Sequence, residues 1–116
     1  IEKFLHKIVK ADRESFLKKN SKKRIVFFDI PLLFENNLES ICDFICCTSA
    51  DLRIREARAL KRSGMSKIMF NKIVESQVDN KIRKSKADYL IKTTGNKAKT
   101  CLQIDNMIYE LLSIKK

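Results

Sequence analysis

An acidic side chain, Asp29, directly follows four consecutive apolar residues that are all β-branched or aromatic, at positions 25–28. A short run of this kind predicts a strand covered on both faces, as in a parallel sheet flanked by helices. Pro31, which has no backbone N–H, then fixes the exit of the chain. Because ligands of open α/β sheets bind beyond the carboxyl ends of the strands, Asp29 is a candidate site residue. An aspartate here also serves to cap a turn, and both interpretations stay open.

Three arginines, Arg55, Arg58 and Arg62, have the spacing i, i+3 and i+7, which places them on one face of a predicted helix. Guanidinium groups present paired donors that match phosphate oxygens, and they do not lose their charge. The row is therefore a candidate phosphate clamp. A solvated basic face has the same spacing, so the pattern alone does not choose between the two interpretations.

The elements that must position these groups alternate between strands and helices, which favours an α/β fold with a parallel sheet. We predict strands over residues 24–30, 44–48 and 89–91. A helix over 1–19 ends near Asn20, a residue type that tolerates a left-handed C-terminal cap. Further helices run from 49 or 50 to 63, before Gly64, and from the cap Ser66 to 77. A turn over 93–96 leads into a final helix whose apolar face comprises Ala98, Cys101, Ile104, Ile108 and Leu111.

The chain has 116 residues, 44% of them apolar and 34% charged, which indicates a globular domain or part of one and excludes a disordered chain. It has no apolar run of membrane-spanning length and no charged-then-apolar leader, so we expect no membrane partner and a cytoplasmic location. Because the first residue is Ile1 and not Met, we also expect that an N-terminal part has been left out.

Charge and cysteine content narrow the partners. Twenty-five basic residues against 14 acidic ones give a net charge of +11, which favours nucleic acid, a membrane surface or nucleotide phosphates as partners, although solubilising lysines give the same excess.

The four cysteines form no C-x-x-C pair, and Cys46 and Cys47 would point to opposite faces of a strand. With only one histidine in the chain, we expect reduced thiols and no metal site.

The stretch DIPLLFE, residues 29–35, closely resembles a signature of dephospho-CoA kinases, the small P-loop kinases that phosphorylate the 3′-hydroxyl of dephospho-CoA. The remainder of the chain is similar to that family in the same order. An arginine-bearing helix followed by Gly64 resembles part of the lid that closes over ATP in the family. Gln77, Lys81 and the segment 87–91 resemble the family's link into its last strand.

The resemblance implies roles for particular residues. Leu32, Leu33, Phe34 and Glu35 would contact the pantetheine-bearing acceptor, and Asp29 would hold the acceptor or a metal-bound water. His6 would also contact the acceptor, although Lys7 stands where the family often has proline. Arg58 and Arg62 would contact the triphosphate, with Arg62 neutralising charge during transfer. Thr93 would lie near the nucleotide, where the family commonly has asparagine.

The glycine-rich phosphate loop of the family is absent, because the only glycines are Gly64 and Gly95. The resemblance therefore implies a partial, P-loop-kinase-like three-layer α/β fold without its first strand and P-loop. Residues 1–20 would form a helix of the acceptor region, 21–52 and 86–116 the core, and 53–85 lid-like helices. ATP with Mg²⁺ would be the co-substrate, its metal ligands mostly outside this chain. We expect the unpaired strands to promote strand swapping or self-association.

Two rival functions stay open. A basic, non-enzymatic module that binds RNA or an acidic protein would explain the charge and the missing P-loop. Against nucleic acid, the aromatic residues lie in apolar runs and do not punctuate basic stretches as stacking platforms do: Phe27, Phe28, Phe34, Phe44 and Phe70. A kinase for a different nucleoside phosphate is the third candidate.

Overall fold

The computed structural model describes residues 2–114 of the chain, with side chains from residue 3 onward. Its helices are α1 (Glu2–Lys19), α2 (Leu52–Leu60), α3 (Lys67–Ser76), α4 (Asn80–Lys86) and α5 (Lys97–Leu112), with a short 3₁₀ helix at Glu39–Ile41. Its strands are β1 (Cys46–Ser49) and β2 (Tyr89–Lys92). The α/β class expected from the sequence is confirmed. No helix of residues 2–114 has the length and apolar character needed to cross a membrane.

The two strands form one parallel pair, in register from Cys46 opposite Tyr89 to Ser49 opposite Lys92. Two of the three predicted strands are thereby confirmed, although β1 begins at Cys46, two residues after its predicted start at residue 44. The N–H of Thr93 continues the pairing by donating to the carbonyl of Ser49 at 2.8 Å. Since parallel strands need a long crossover, the chain from 50 to 88, which contains three helices, supplies it.

The predicted strand over residues 24–30 is wrong for this structure, because no described residue pairs with this segment and a strand exists only as part of a ladder. The segment is held by side chains instead. Phe28 packs against Phe16 of α1 with ring centroids 5.8 Å apart, and Arg24 donates to the carbonyl of Leu112 at 2.6 Å. Phe27 is 58% exposed, so the segment is not covered on both faces.

Side-chain caps begin three of the helices. Ser66 accepts a hydrogen bond from the N–H of Met69 at 3.2 Å, which confirms the predicted cap of α3. Asp79 caps α4 through the N–H of Lys81, and Asn96 caps α5 through the N–H of Lys99. The oxygen acceptors satisfy N–H groups that the first turn of a helix leaves free.

The helix that carries the arginines is shorter than predicted. It begins at Leu52, after Asp51 at the N-cap position, and ends at Leu60 instead of residue 63. The N–H of Arg62 donates to the carbonyl of Ala59, three residues back, so the chain tightens into a turn. Gly64 has φ +80°, the left-handed conformation that favours glycine. Arg62 therefore lies in the turn after α2 and does not extend the helical row of Arg55 and Arg58.

The first helix matches its prediction from Glu2 to Lys19, residue 1 lying outside the described residues, but it does not match in its cap. Asn20 is not left-handed, since the described non-glycine residues with positive φ are Leu32 and Asn37. Its side-chain amide instead donates to the carbonyl of Phe16 at 2.9 Å. The apolar stripe of α1 faces solvent, with Phe4 67% exposed.

The core is small. Among the described residues, five apolar side chains are buried, and they come from every part of the chain after residue 33: Phe34, Cys47, Phe70, Ile91 and Met107. In α5, Met107 is the buried residue. Ala98 and Cys101 of the predicted apolar face are exposed, because the face that packs inward comprises residues 103, 104, 107 and 108.

The accessible surface is large for the mass. It measures 9885 Å² for a 13.5 kDa chain, against about 6,500 Å² expected for a compact monomer. The radius of gyration is 16.5 Å, against about 13 Å for a compact domain of this length. Much apolar surface therefore remains uncovered, which is the physical basis of the association predicted below.

Candidate functional site

A cleft of about 410 Å³ separates the segment 28–35 from the outer side of β1. One wall is residues 28–35, the other is Cys42 with residues 44–48, and Gln77 and Arg83 complete the lining. The sequence predicted Asp29 and residues 32–35 as site residues, and the structure brings all five to the wall of one cleft. A volume of this size falls in the range of small-molecule sites, which run from about 300 to 1,000 Å³.

The wall formed by residues 31–37 is a compact turn. Leu32 has φ +56°, an uncommon conformation for a bulky residue and one that is found at functional sites. Its carbonyl accepts from both the backbone N–H and the side-chain amide of Asn36, at 3.0 and 3.1 Å. Phe34 is buried and anchors the turn, with the ammonium of Lys86 5.6 Å from its ring centroid. Leu32 thereby projects from an anchored turn, and it is 49% exposed.

Glu35 ties this turn to the link between α3 and α4. One carboxylate oxygen of Glu35 accepts from the N–H of Val78 at 3.4 Å, and the neighbouring Gln77 lines the cleft. The carboxylate is half-buried, so it has a positioning role in this structure in addition to any contact with a ligand. Asp29 is exposed on the same wall.

The opposite wall is the free edge of β1. The carbonyls of Ile45 and Ser49 accept hydrogen bonds from the β2 side, at Asp88, Tyr89 and Thr93. Backbone groups of successive strand residues point alternately to the two edges, so those of Cys46 and Thr48 point toward the cleft. Asp88 fixes the start of the strand, because its carboxylate accepts from the N–H of Ile45 at 2.7 Å.

Burial acts on two of the thiols at the cleft, those of Cys42 and Cys46. Burial raises the pKa of Cys46 above its ordinary value, with a smaller contribution from Cys47, even though part of the residue is exposed. Burial also raises the pKa of Cys42, against the opposing effect of the positive charge of Arg13. These two thiols therefore carry less thiolate at a given pH than an ordinary cysteine, and they are weaker nucleophiles.

A second, smaller cavity of about 130 Å³ lies at the carboxyl ends of both strands, and we call it the arginine pocket. It is lined by residues 48–50 at the end of β1, by Thr93 after β2, and by Arg55, Arg58, Asn80 and Arg83 from the helices. Arg58 donates to the carbonyl of Thr93 at 2.7 Å. The predicted nucleotide contacts Arg58 and Thr93 are thus neighbours, and no carboxylate among the described residues lines this pocket.

Two predicted site residues lie elsewhere. His6 is exposed on α1, and Arg62 is exposed in the turn after α2. Neither is among the described residues that line the cleft or the arginine pocket. For Arg62 the reason is the early end of α2, which takes this side chain out of the row shared by Arg55 and Arg58.

Arg83 was not predicted, yet it lines both cavities. It belongs to α4, a helix of seven residues with Ile82 as its sole apolar member, which leaves no periodicity to detect. The signal available in the sequence was its place between Arg53 and Lys86, a stretch with eleven basic residues and three acidic ones. Residues 3–114 contain no group of three histidine, cysteine or acidic side chains that could hold a metal ion.

Comparison with known proteins gives one consistent family. A sequence model described as dephospho-CoA kinase matches residues 1–99. The chain is 30% identical over 113 residues to the dephospho-CoA kinase of Rhizobium meliloti, covering 96% of this chain and 58% of that protein. It is 32% identical over 114 residues to the dephospho-CoA kinase of Bartonella quintana, covering 97% of this chain and 58% of that protein.

A further similar protein, the dephospho-CoA kinase of Fusobacterium nucleatum, is 32% identical over 80 residues, which is 69% of this chain and 42% of that protein. The chain thus spans about half the length of the curated relatives that it matches. The matched part includes the stretch 29–35, both strands and the arginine pocket.

Proposed function

The chain belongs to the dephospho-CoA kinase family, and we propose that its cleft and its arginine pocket form the acceptor and donor sites of that kinase. The reaction transfers the γ-phosphoryl group of ATP to the 3′-hydroxyl of dephospho-CoA and gives coenzyme A. One observation carries the proposal: the wall formed by residues 28–35 faces a cleft that shares Thr48 and Arg83 with the arginine pocket. Adjacent cavities for an acceptor and for phosphates are what a direct transfer requires.

The cleft supplies the acceptor site. Leu32 and Leu33 offer apolar contact to the pantetheine arm, and Phe34 holds their turn in place from the core. Asp29 holds the acceptor or a metal-bound water, and Glu35 fixes the turn through Val78. His6 remains a proposed acceptor contact, which requires the bound acceptor to extend beyond the cleft toward α1.

The arginine pocket supplies the donor site. Arg58 lines it and contacts the carbonyl of Thr93, so its guanidinium is already oriented at the ends of the strands. Phosphate oxygens fit a pocket lined by three guanidinium groups and no carboxylate. The proposed role of Arg62 requires the turn after α2 to move toward the pocket, because this residue lines neither cavity.

ATP arrives as its Mg²⁺ complex. Magnesium in kinases is usually bound by substrate phosphates, waters and one or two carboxylates, and this pocket is rich in guanidinium groups instead. We therefore assign the protein ligands of Mg²⁺ mostly to residues outside this chain. Neutralisation of phosphate charge by Arg58 and Arg62 is what this chain adds.

The proposal includes a cytoplasmic location, where ATP is abundant and thiols stay reduced. All four cysteines are free, as expected for proteins of a reducing compartment. The partners proposed are ATP and dephospho-CoA, together with a second copy of the chain when the free edge of β1 is uncovered.

Activity tests the proposal. We expect the chain of residues 1–116 to show no turnover with ATP, Mg²⁺ and dephospho-CoA, because it has no glycine-rich phosphate cradle. A version in which a P-loop segment precedes residue 1, called here the P-loop-extended protein, should turn over. ADP release is followed by a coupled assay. Turnover by the unextended chain at about 1–100 s⁻¹ would contradict the need for that cradle.

The role of Arg62 is tested in the P-loop-extended protein. Arg62→Ala should lower kcat by roughly 10²–10⁵, the range for a guanidinium that stabilises a transferring phosphoryl group. The same change should weaken dephospho-CoA binding far less. Arg53→Ala, an exposed residue of α2 that lines neither cavity, is the matched control. Unchanged kcat in a folded Arg62→Ala protein assigns Arg62 to the solvated surface.

A further inference from the structure

Arg83 occupies the boundary between the cleft and the arginine pocket, and it contributes to the lining of both. Its guanidinium donates to the carbonyl of Thr48 at 3.4 Å and to the side-chain oxygen of Asn80 at 3.3 Å. The residue is half-buried, and its own carbonyl lies 4.0 Å from the sulfur of Cys47. These contacts place the charged group over the carboxyl end of β1, between the two cavities.

The charge of Arg83 is not neutralised within the described part of the chain. The two ion pairs among residues 3–114 are Lys67 with Glu56 and Lys86 with Glu39, and neither includes an arginine of the pocket. The partners of Arg83 are neutral oxygens at distances near the limit of a hydrogen bond. A guanidinium with long bonds to neutral acceptors has donors free for an anion, which would bind it through shorter, charge-assisted bonds.

We propose that Arg83 contacts the phosphoryl group while it moves from the nucleotide in the arginine pocket to the acceptor in the cleft. This inference rests on the proposed function. In the transfer, the acceptor hydroxyl oxygen forms a bond to the γ-phosphorus as the bond from that phosphorus to the β–γ bridging oxygen breaks. The bridging oxygen leaves with the electron pair as part of ADP, and the hydroxyl proton is released. Arg83 is positioned to neutralise the equatorial oxygens during that exchange.

Position distinguishes Arg83 from its neighbours. Arg55 and Arg58 line the arginine pocket alone, so they contact the donor side of the transfer. Gln77 lines the cleft alone, on the acceptor side. A residue that serves both sites should affect both ligands, and this is the property that the experiment measures.

The experiment compares binding of two probes to the chain of residues 1–116 by isothermal titration calorimetry. Inorganic tripolyphosphate reports on the arginine pocket, and dephospho-CoA reports on the cleft. Arg83→Met should weaken both, each by roughly tenfold, the effect of losing one charge-assisted hydrogen-bonded contact. Arg83→Lys, which keeps the charge but not the paired donors, should recover part of both losses.

Matched variants separate this role from a general effect of charge or folding. Arg55→Met should weaken tripolyphosphate but leave dephospho-CoA unchanged, and Arg53→Met should leave both affinities within about twofold. Thermal unfolding of each variant verifies that the fold is retained. If Arg83→Met destabilises the chain, the two affinities of Arg83→Lys are compared with those of Arg53→Lys instead.

The outcomes are separable. Loss of both affinities in Arg83→Met, with the controls unchanged, supports the inference. Loss of one affinity or of neither overturns it, as does a wild-type chain that binds no tripolyphosphate. A wild-type chain that binds tripolyphosphate but not dephospho-CoA contradicts the proposed function, while the tripolyphosphate comparison still decides whether Arg83 binds an anion.

Discussion

Two regions of the molecule contrast in how their elements are held. In residues 45–112, the sheet region, β1 and β2 form a ladder, and Ile91 of β2 and Met107 of α5 are buried. In residues 2–37, the N-terminal region, the apolar side chains of α1 are exposed and the segment 24–30 has no strand partner among the described residues. A helix can therefore form from a local pattern, whereas a strand also needs a neighbouring strand to pair with.

The two edges of the sheet differ in the same way, in how their outward-facing backbone groups are hydrogen-bonded. On β2, the side-chain amide of Gln103 takes the place of a strand neighbour: it accepts from the N–H of Lys92 and donates to its carbonyl, both at 2.8 Å. On β1, the backbone groups of Cys46 and Thr48 face the cleft, where the carbonyl of Thr48 accepts a 3.4 Å hydrogen bond from Arg83. The β2 edge is thereby held by α5, whereas the β1 edge has this one long side-chain bond and can accept a ligand or another strand.

The largest effect expected from this contrast is on association. At micromolar concentration the chain of residues 1–116 should form strand-swapped dimers or larger species, because a free sheet edge and the exposed apolar stripe of α1 both favour contact with other chains. Sedimentation velocity measures the distribution of species. The P-loop-extended protein, in which a strand is expected to cover the edge, is the control. Its assemblies should contain fewer chains.

A monodisperse monomer that melts cooperatively would contradict this prediction. It would mean that the free edge of β1 and the exposed face of α1 are already protected by contacts within one chain. The N-terminal region would then be as well held as the sheet region, and the contrast would disappear.

The second effect concerns stability. Ile91→Ala in β2 should lower the free energy of unfolding by about 2–5 kcal/mol, because Ile91 is 4% exposed and its loss leaves a cavity. Phe27→Ala should lower it by less than about 1 kcal/mol, since most of the side chain is already in water. Urea unfolding of both variants gives the comparison. Equal losses would show that residues 24–30 are packed as a strand of the core.

The third and smallest effect is on thiol reactivity at the free edge. Burial holds the pKa of Cys46 above its ordinary value of 9.0, so less thiolate is present at any given pH below the raised value. Alkylation of Cys46 by iodoacetamide should therefore be slower at pH 8 than that of a cysteine in a short peptide, and it should rise at higher pH. A rate equal to that of the peptide at pH 8 would show that water fills this wall of the cleft. Mass spectrometry of digested protein resolves the four cysteines.

Sequence patterns predicted the helices and strands that depend on local signals. The cap at Ser66 and the strands that became β1 and β2 rest on residue types within a few positions of each other. The strand over 24–30 was predicted from the same kind of pattern and is absent, because pairing is a property of the neighbour and not of the segment.

The candidate site was predictable in part, for the same reason. Asp29 and residues 32–35 lie within seven consecutive positions, so their shared wall follows from their sequence proximity. Arg62 left the arginine row because α2 ends early, at a turn whose position the spacing of apolar residues did not define. Arg83 joins the two cavities across 35 positions from Thr48, a long-range placement that no local pattern encodes.

Hydrogen–deuterium exchange of the chain with and without saturating dephospho-CoA tests the central claim, that residues 28–35 and the edge of β1 form an acceptor site. We expect slower amide exchange in residues 28–35 and 44–48 when dephospho-CoA is bound, with exchange in α5 unchanged. Unchanged exchange in both walls of the cleft, or protection confined to other segments, would contradict it.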